Sequence, residues 1–130
     1  MKPLVLIVDD APTSAIALEL ACSGIPGVDV TAVCSALDAV RILQAADSRV
    51  CAVVTDLKMP VMDGFELIEF IRARPANAGL PIVVVTADSE PETSGRVKAL
   101  GANAVFPKPF SPGAVRETLE RLLYANQRAN

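Results

Sequence analysis

Apolar and polar positions along this chain fall into blocks of two kinds. Short runs rich in β-branched residues, VLIV at 5–8, VDVTAV at 28–33, CAVVT at 51–55, IVVVT at 82–86 and AVF at 104–106, have the length and composition of strands. Between them, and after the last, residues 13–23, 36–46, 64–74, 90–100 and 111–126 are helix-length with partial 3.6-residue periodicity. The pattern predicts five strand-helix units in succession. Runs apolar at every position are buried on both faces, and short connections cannot join parallel strands. The order therefore implies an α/β protein, with a parallel sheet covered by helices on both sides through right-handed crossovers.

The predicted helices differ in quality. In the last one Ser111 can cap, Pro112 suits the first helical position, and Val115, Leu119, Leu122 and Leu123 share a face. Glu117 and Arg121 are expected to pair four residues apart on its outer side. The fourth has Gly95 in its middle and only Val97, Ala99 and Leu100 for an apolar stripe, so it is expected to be the least stable element. Gly24, Gly27, Gly79 and Gly101 with Pro26 and Pro81 punctuate the turns. With no repeat, low-complexity stretch or linker, residues 1–130 are expected to form one domain with no separate effector.

Composition narrows the function. Hydrophobic residues make up 52% of the chain while the net charge is only −3, which favours a compact fold and disfavours a nucleic-acid partner held by excess positive charge. No apolar run approaches the roughly 20 residues that span a bilayer, and Met1-Lys2-Pro3 lacks a signal-peptide layout, so a cytoplasmic location with no membrane partner is expected. Cys22, Cys34 and Cys51 are odd in number, lack CxxC spacing and sit among apolar neighbours, and read as small core residues. Histidine is absent, which removes imidazole bases, the commonest zinc sites and phosphohistidine chemistry on this chain itself. Carboxylates, hydroxyls and lysines are left to carry the chemistry.

In parallel sheets, ligands gather beyond the carboxyl ends of the strands. Asp9 and Asp10 follow the first strand, Asp56 follows the third, Thr86 ends the fourth and Lys108 follows the fifth. An Asp after a strand is often only a turn former or a helix cap. Capping explains neither the doubled Asp9-Asp10 nor a lysine set between two prolines. Three converging carboxylates repel one another, and no arginine follows any of these strands. A hard divalent cation with oxygen ligands, Mg²⁺ or Mn²⁺, balances them, while Lys108 and Thr86 offer a charge and a hydrogen bond to a phosphate. This is the composition of a phosphoryl-transfer site.

Four segments now stand together: VLIVDD at 5–10, VVTDLKMPVMDG at 53–64, VVVTA at 83–87 and FPKPF at 106–110. In this order and at these strand ends, the chain resembles a receiver domain of the bacterial two-component response regulators, the family of the chemotaxis response regulator. The resemblance runs from the first strand to the last helix. It implies a flavodoxin-like (βα)5 three-layer sandwich with sheet order 2-1-3-4-5. It further implies a signalling domain that catalyses its own phosphorylation and dephosphorylation without being a turnover enzyme. Asp56 would accept a phosphoryl group from a sensor histidine kinase or a histidine phosphotransfer protein, and a downstream protein or domain would supply the output. Asp10, Asp56 and the backbone carbonyl of Lys58 would hold Mg²⁺, with Asp9 acting through a bound water. Lys108 would pair with the phosphoryl oxygens, Thr86 would move toward them, and Ala87 would leave them room. A cis bond between Lys108 and Pro109 is also implied.

Pro60 and Gly64 read as structural, Met59 and Met62 as packing, and Asp63 as a turn or cap residue in preference to a fourth ligand. Lys58 and Asp88 would face each other across the mouth of the site, forming its rim with Ala87, either as a partly exposed ion pair that hinders water from hydrolysing the acyl phosphate or as two solvated side chains, with Lys58 meeting the kinase. One departure stands out: receivers commonly carry Tyr or Phe three residues before the lysine, where this chain has Val105. The ring is one residue later, at Phe106, and alternation sends it to the other face, so Phe106 is expected to be core packing. An aspartate-nucleophile phosphatase of the haloacid dehalogenase type is the rival enzyme reading, but it needs a second Asp two places after the nucleophile, where Ala11 follows Asp9. A degenerate receiver used only for binding is the third.

Overall fold

The computed structural model describes residues 2–129, with side chains through Ala125. Its strands are β1 (Leu4–Val8), β2 (Asp29–Val33), β3 (Val50–Thr55), β4 (Ile82–Thr86) and β5 (Ala104–Pro107). The helices are α1 (Pro12–Cys22), α2 (Ala36–Gln44), α3 (Gly64–Ala73), α4 (Pro91–Leu100) and α5 (Pro112–Ala129), with a short 3₁₀ turn at Pro75–Asn77 that the sequence pattern did not announce. All neighbouring strands pair in parallel, in the order β2-β1-β3-β4-β5. This is the doubly wound, flavodoxin-like arrangement.

Position in the sheet explains the composition of each strand. Central β1 and β4 are buried at every residue, whereas edge strands β2 and β5 have no buried residue. Only the central strands need to be apolar on both faces. Alternation then divides the core in two. Val5, Ile7, Ala52, Val54, Val83 and Val85 face α1 and α5, meeting Leu18, Cys22, Val115 and Leu119. Leu6, Val8, Val53, Ile82 and Val84 face α2, α3 and α4, meeting Ala39, Leu67, Ile68, Ile71 and Val97. Phe106 packs on the α1/α5 side and Val105 on the α4 side, so the ring is core packing as the alternation predicts.

Local chemistry fixes the helix ends. Asp63 Oδ1 accepts from Glu66 N–H at 2.9 Å while Glu66 returns the bond to Asp63 N–H at 3.1 Å, a complete capping box that assigns Asp63 to α3. Ser111 accepts from Ala114 N–H at the start of α5. Gly101 ends α4 with φ +118°, and a Cβ there would lie 2.7 Å from Arg72 Nε. The Arg72 guanidinium donates to the Gly101 carbonyl, to that of Asn77 and to Asn103 Oδ1, tying α3 to the far end of α4.

Two expectations are corrected. Cys34 is exposed, because β2 ends at Val33 and the thiol lies just past the edge strand; Cys22 is buried and Cys51 half-buried, and burial pushes the Cys22 thiol up to about 11. On α5 the four-residue ion pair is Arg116 with Glu120 at 3.2 Å, not Glu117 with Arg121. Arg121 turns instead to Thr118, and Arg116 lies along Gly24 at the end of α1, so docking against α1 decides which pair forms.

Candidate functional site

The ladder carries the polar residues one step past the strands into register with one another. Asp9 N–H donates to the Val33 carbonyl at 3.1 Å, Asp56 N–H to that of Val8 at 3.0 Å and Lys108 N–H to that of Thr86 at 2.8 Å. Residues 99 positions apart in the chain thereby meet at a single edge. Carboxylate oxygens of Asp9, Asp10 and Asp56 lie within 4.8 Å of one another; Asp9 and Asp56 are buried and Asp10 is exposed.

Lys108 Nζ lies between the two buried acids, 3.0 Å from Asp9 Oδ2 and 2.9 Å from Asp56 Oδ2. Partial burial opposes its charge, but the hydrogen bonds and negative charges of Asp56 and Asp9 outweigh that and hold its pKa above the usual lysine value. The remaining oxygens of the buried pair are held by the main chain: Asp9 Oδ1 accepts from Ala11 N–H at 2.9 Å and Asp56 Oδ1 from Leu57 N–H at 2.6 Å. Both acids are fixed from two sides. Three carboxylates against one ammonium leave two uncompensated negative charges among oxygen donors, a set that suits a hard divalent cation. The Lys108–Pro109 peptide bond is cis.

The support behind Asp56 is built by close approach. Gly64 N–H donates to the Leu57 carbonyl at 2.8 Å, and a Cβ on Gly64 would lie 2.2 Å from the Asp56 carbonyl oxygen and 2.8 Å from Leu57 Cα. Only glycine lets α3 start so near the strand end. In the loop between them Met62 N–H donates to the Pro60 carbonyl, which places Val61, 88% exposed, at φ +71°. A β-branched residue rarely adopts that conformation, so the loop carries local strain beside the acid.

Of the other residues singled out from sequence, Thr86 is buried, and its Oγ1 accepts from Asp88 N–H at 3.1 Å. Ala87 is exposed, and Lys58 is exposed in the loop after Asp56. The expected Lys58–Asp88 ion pair is absent among the described residues. Asp88 instead accepts from Glu90 N–H at 2.9 Å and from Thr93 Oγ1 at 2.8 Å, local contacts that outcompete an exposed lysine. Those two bonds, Glu90 first, lower the Asp88 pKa, and the positive charge of Lys58 adds to the effect. Sequence reasoning missed the Leu57 and Ala11 amides, which have no side-chain signature, and the exposed Cys34, which shares a hollow of about 390 Å³ with Asp9, Asp10 and Asp38.

Fold and site define a doubly wound α/β protein whose strand ends build an acidic pocket crossed by one lysine. The family model described as the response regulator receiver domain matches residues 5–120, and the chain belongs to that family. It is 28% identical over 124 residues to a Rhizobium etli protein named "Probable chemotaxis protein CheY", with 95% of each chain covered. Solved structures agree. The chemotaxis response regulator CheY4 of Vibrio cholerae superposes with a TM-score of 0.81 at 29% identity, covering 94% of this chain and 99% of that one. A response regulator receiver protein from Pseudomonas putida gives 0.81 at 33% identity, covering 93% and 98%. Receivers of this family bind Mg²⁺ at an acidic pocket, act as signalling domains and not as turnover enzymes, and work between histidine kinases and output domains. No helix among the described residues is long and apolar enough to cross a membrane.

Proposed function

We propose that this chain is a phosphoacceptor in a two-component pathway. Asp56 takes a phosphoryl group from the phosphohistidine of a sensor histidine kinase or a histidine phosphotransfer protein, and the altered rim acts on a downstream protein or domain. In this reading residues 1–130 act as one receiver domain. The observation that carries it is Lys108 Nζ within 3.0 Å of both Asp9 and Asp56, beside a third carboxylate that faces solvent.

A carboxylate is a weak nucleophile, but phosphoryl transfer needs mainly alignment and charge compensation. Asp56 is aligned by Leu57 N–H and Lys108. One of its oxygens bonds to phosphorus as the donor's P–N bond breaks, and the electron pair stays with the imidazole nitrogen. The product is an acyl phosphate carrying nearly two negative charges where the carboxylate carried one. Lys108 then pairs with the phosphoryl oxygens, Thr86 donates its hydroxyl proton to one of them, and Ala87 adds no bulk above them. Mg²⁺, when bound, neutralises charge on the phosphoryl oxygens. Asp10, Asp56 and the Lys58 carbonyl would hold it. Asp9 would contribute through a water.

Intact-mass measurement with acetyl phosphate as donor tests the reading. Wild type gains one phosphoryl group in the presence of Mg²⁺ and none with excess chelator, and Asp56→Asn gains none. A phosphatase would instead release phosphate continuously from a phosphomonoester without a stable adduct, and a binding module would do neither. Labelling of Asp56→Asn at the wild-type rate and stoichiometry would overturn the assignment.

A further inference from the structure

The first turn of α4 is tied to Thr86 through a single residue. Asp88 gives its N–H to Thr86 Oγ1 at 3.1 Å, and its two carboxylate oxygens accept from Glu90 N–H at 2.9 Å and Thr93 Oγ1 at 2.8 Å. Glu90, at the N-cap position, makes no side-chain cap of its own, so Asp88 does the capping from two residues upstream. The rest of the helix is lightly held. Val97 is its one buried residue, and the exposed Arg96 stacks on Phe65 with 3.9 Å to the ring centre. At the far end Gly101 is gripped by Arg72 at 2.8 and 3.1 Å. One end of α4 is pinned to α3, and the other is held by Asp88.

Space lies beside the loosely held end. Thr86, Pro91, Ser94, Val105 and Pro107 help to line a hollow of about 300 Å³. Val105 does not fill it, and Phe106 packs on the opposite face of the sheet. No aromatic ring of β5 is therefore placed to carry a message from Thr86 to this surface.

We infer that Asp88 and Thr93 form a side-chain relay that couples Thr86 to the first turn of α4, transmitting occupancy at Asp56 as a rearrangement of that turn beside the hollow. The inference rests on the phosphoacceptor reading. When Thr86 turns to donate its hydroxyl proton to a phosphoryl oxygen, its Oγ1 leaves the Asp88 N–H, and the Asp88 backbone is freed to move. Both Asp88 carboxylate oxygens grip the helix start, so the displacement passes into α4 and is not lost in the loop. As an ordinary aspartate carboxylate, Asp88 is ionised at neutral pH and accepts at both oxygens.

Thr93→Val removes the donor hydroxyl while keeping the shape of the side chain, and Thr93→Ser restores the donor. Amide NMR shifts are recorded for wild type and both variants without and with beryllofluoride plus Mg²⁺ as the phosphoryl mimic. All three should bind the mimic, as reported by the amides of Thr86 and Ala87. Wild type and Thr93→Ser should show shift changes across residues 92–97, and in Thr93→Val those changes should shrink about threefold or more. A merely structural role for Thr93 would alter the unliganded α4 spectrum yet leave the size of the response intact. An undiminished response in Thr93→Val overturns the relay and leaves the acceptor reading standing. Failure of the wild-type Thr86 and Ala87 amides to respond would overturn the acceptor reading, and the relay with it.

Discussion

Helices α3 and α4 are each ten residues long and start from neighbouring points of the same rim, yet they are held in opposite ways. The start of α3 presses against the Asp56 backbone, closes with a full capping box, and buries Leu67, Ile68 and Ile71. The start of α4 has one upstream side chain for a cap, and the helix buries only Val97. Buried apolar area sets how tightly a helix is docked, so opening α4 costs far less than opening α3. The difference assigns work. In the phosphoacceptor reading, the group that receives phosphorus in line sits on the rigid side, and the surface that reports the event on the compliant one.

Substituting a glycine on each side gives the widest separation. Gly64→Ala places a methyl 2.2 Å from the Asp56 carbonyl, which backbone must move to accommodate. The expected loss is about 1–3 kcal/mol in denaturant unfolding, together with a displaced acceptor. Gly95→Ala meets nothing within 4 Å. It should stabilise the protein by about 0.5–1 kcal/mol through helix propensity alone, and at the same time damp the response of α4 to beryllofluoride. Equal signs for the two substitutions would break the contrast.

The smallest effect is a titration. Asp88 has a folded pKa below the ordinary 3.8, so its contribution to the α4 start is present above that ordinary value and is lost as pH falls through the lowered one. The Glu90 amide resonance should therefore titrate with a midpoint below 3.8. A midpoint at or above it would mean that the carboxylate does not cap the helix.

The same contrast marks what the sequence could reveal. Burial on both faces requires unbroken apolar runs, so β1 and β4 were plain, and the strand ends then identified Asp9, Asp10, Asp56, Thr86 and Lys108 as a group. The capping role of Asp63 follows from Glu66 three residues later, and the close approach at Gly64 from the tight turn it begins. What stayed hidden depends on choices among similar local partners. Asp88 had Lys58 across the site and Thr93 nearby, and the nearby hydroxyl won because little chain entropy is lost in reaching it. Arg116 and Glu117 head two equally spaced pairs on α5, and only contact with α1 separates them. Cys34 follows an apolar run, but that run is an edge strand ending one residue earlier, so its neighbours in sequence do not surround it in space.

The acceptor itself is the central claim, and borohydride reduction tests it most directly. Borohydride reduces an acyl phosphate but leaves an ordinary carboxylate alone, so a phosphorylated aspartate becomes homoserine and can be located by peptide mass spectrometry. After treatment with acetyl phosphate and Mg²⁺, the account predicts homoserine at position 56 alone, with Asp9 and Asp10 unchanged. Homoserine at 9 or 10 with Asp56 intact would contradict it.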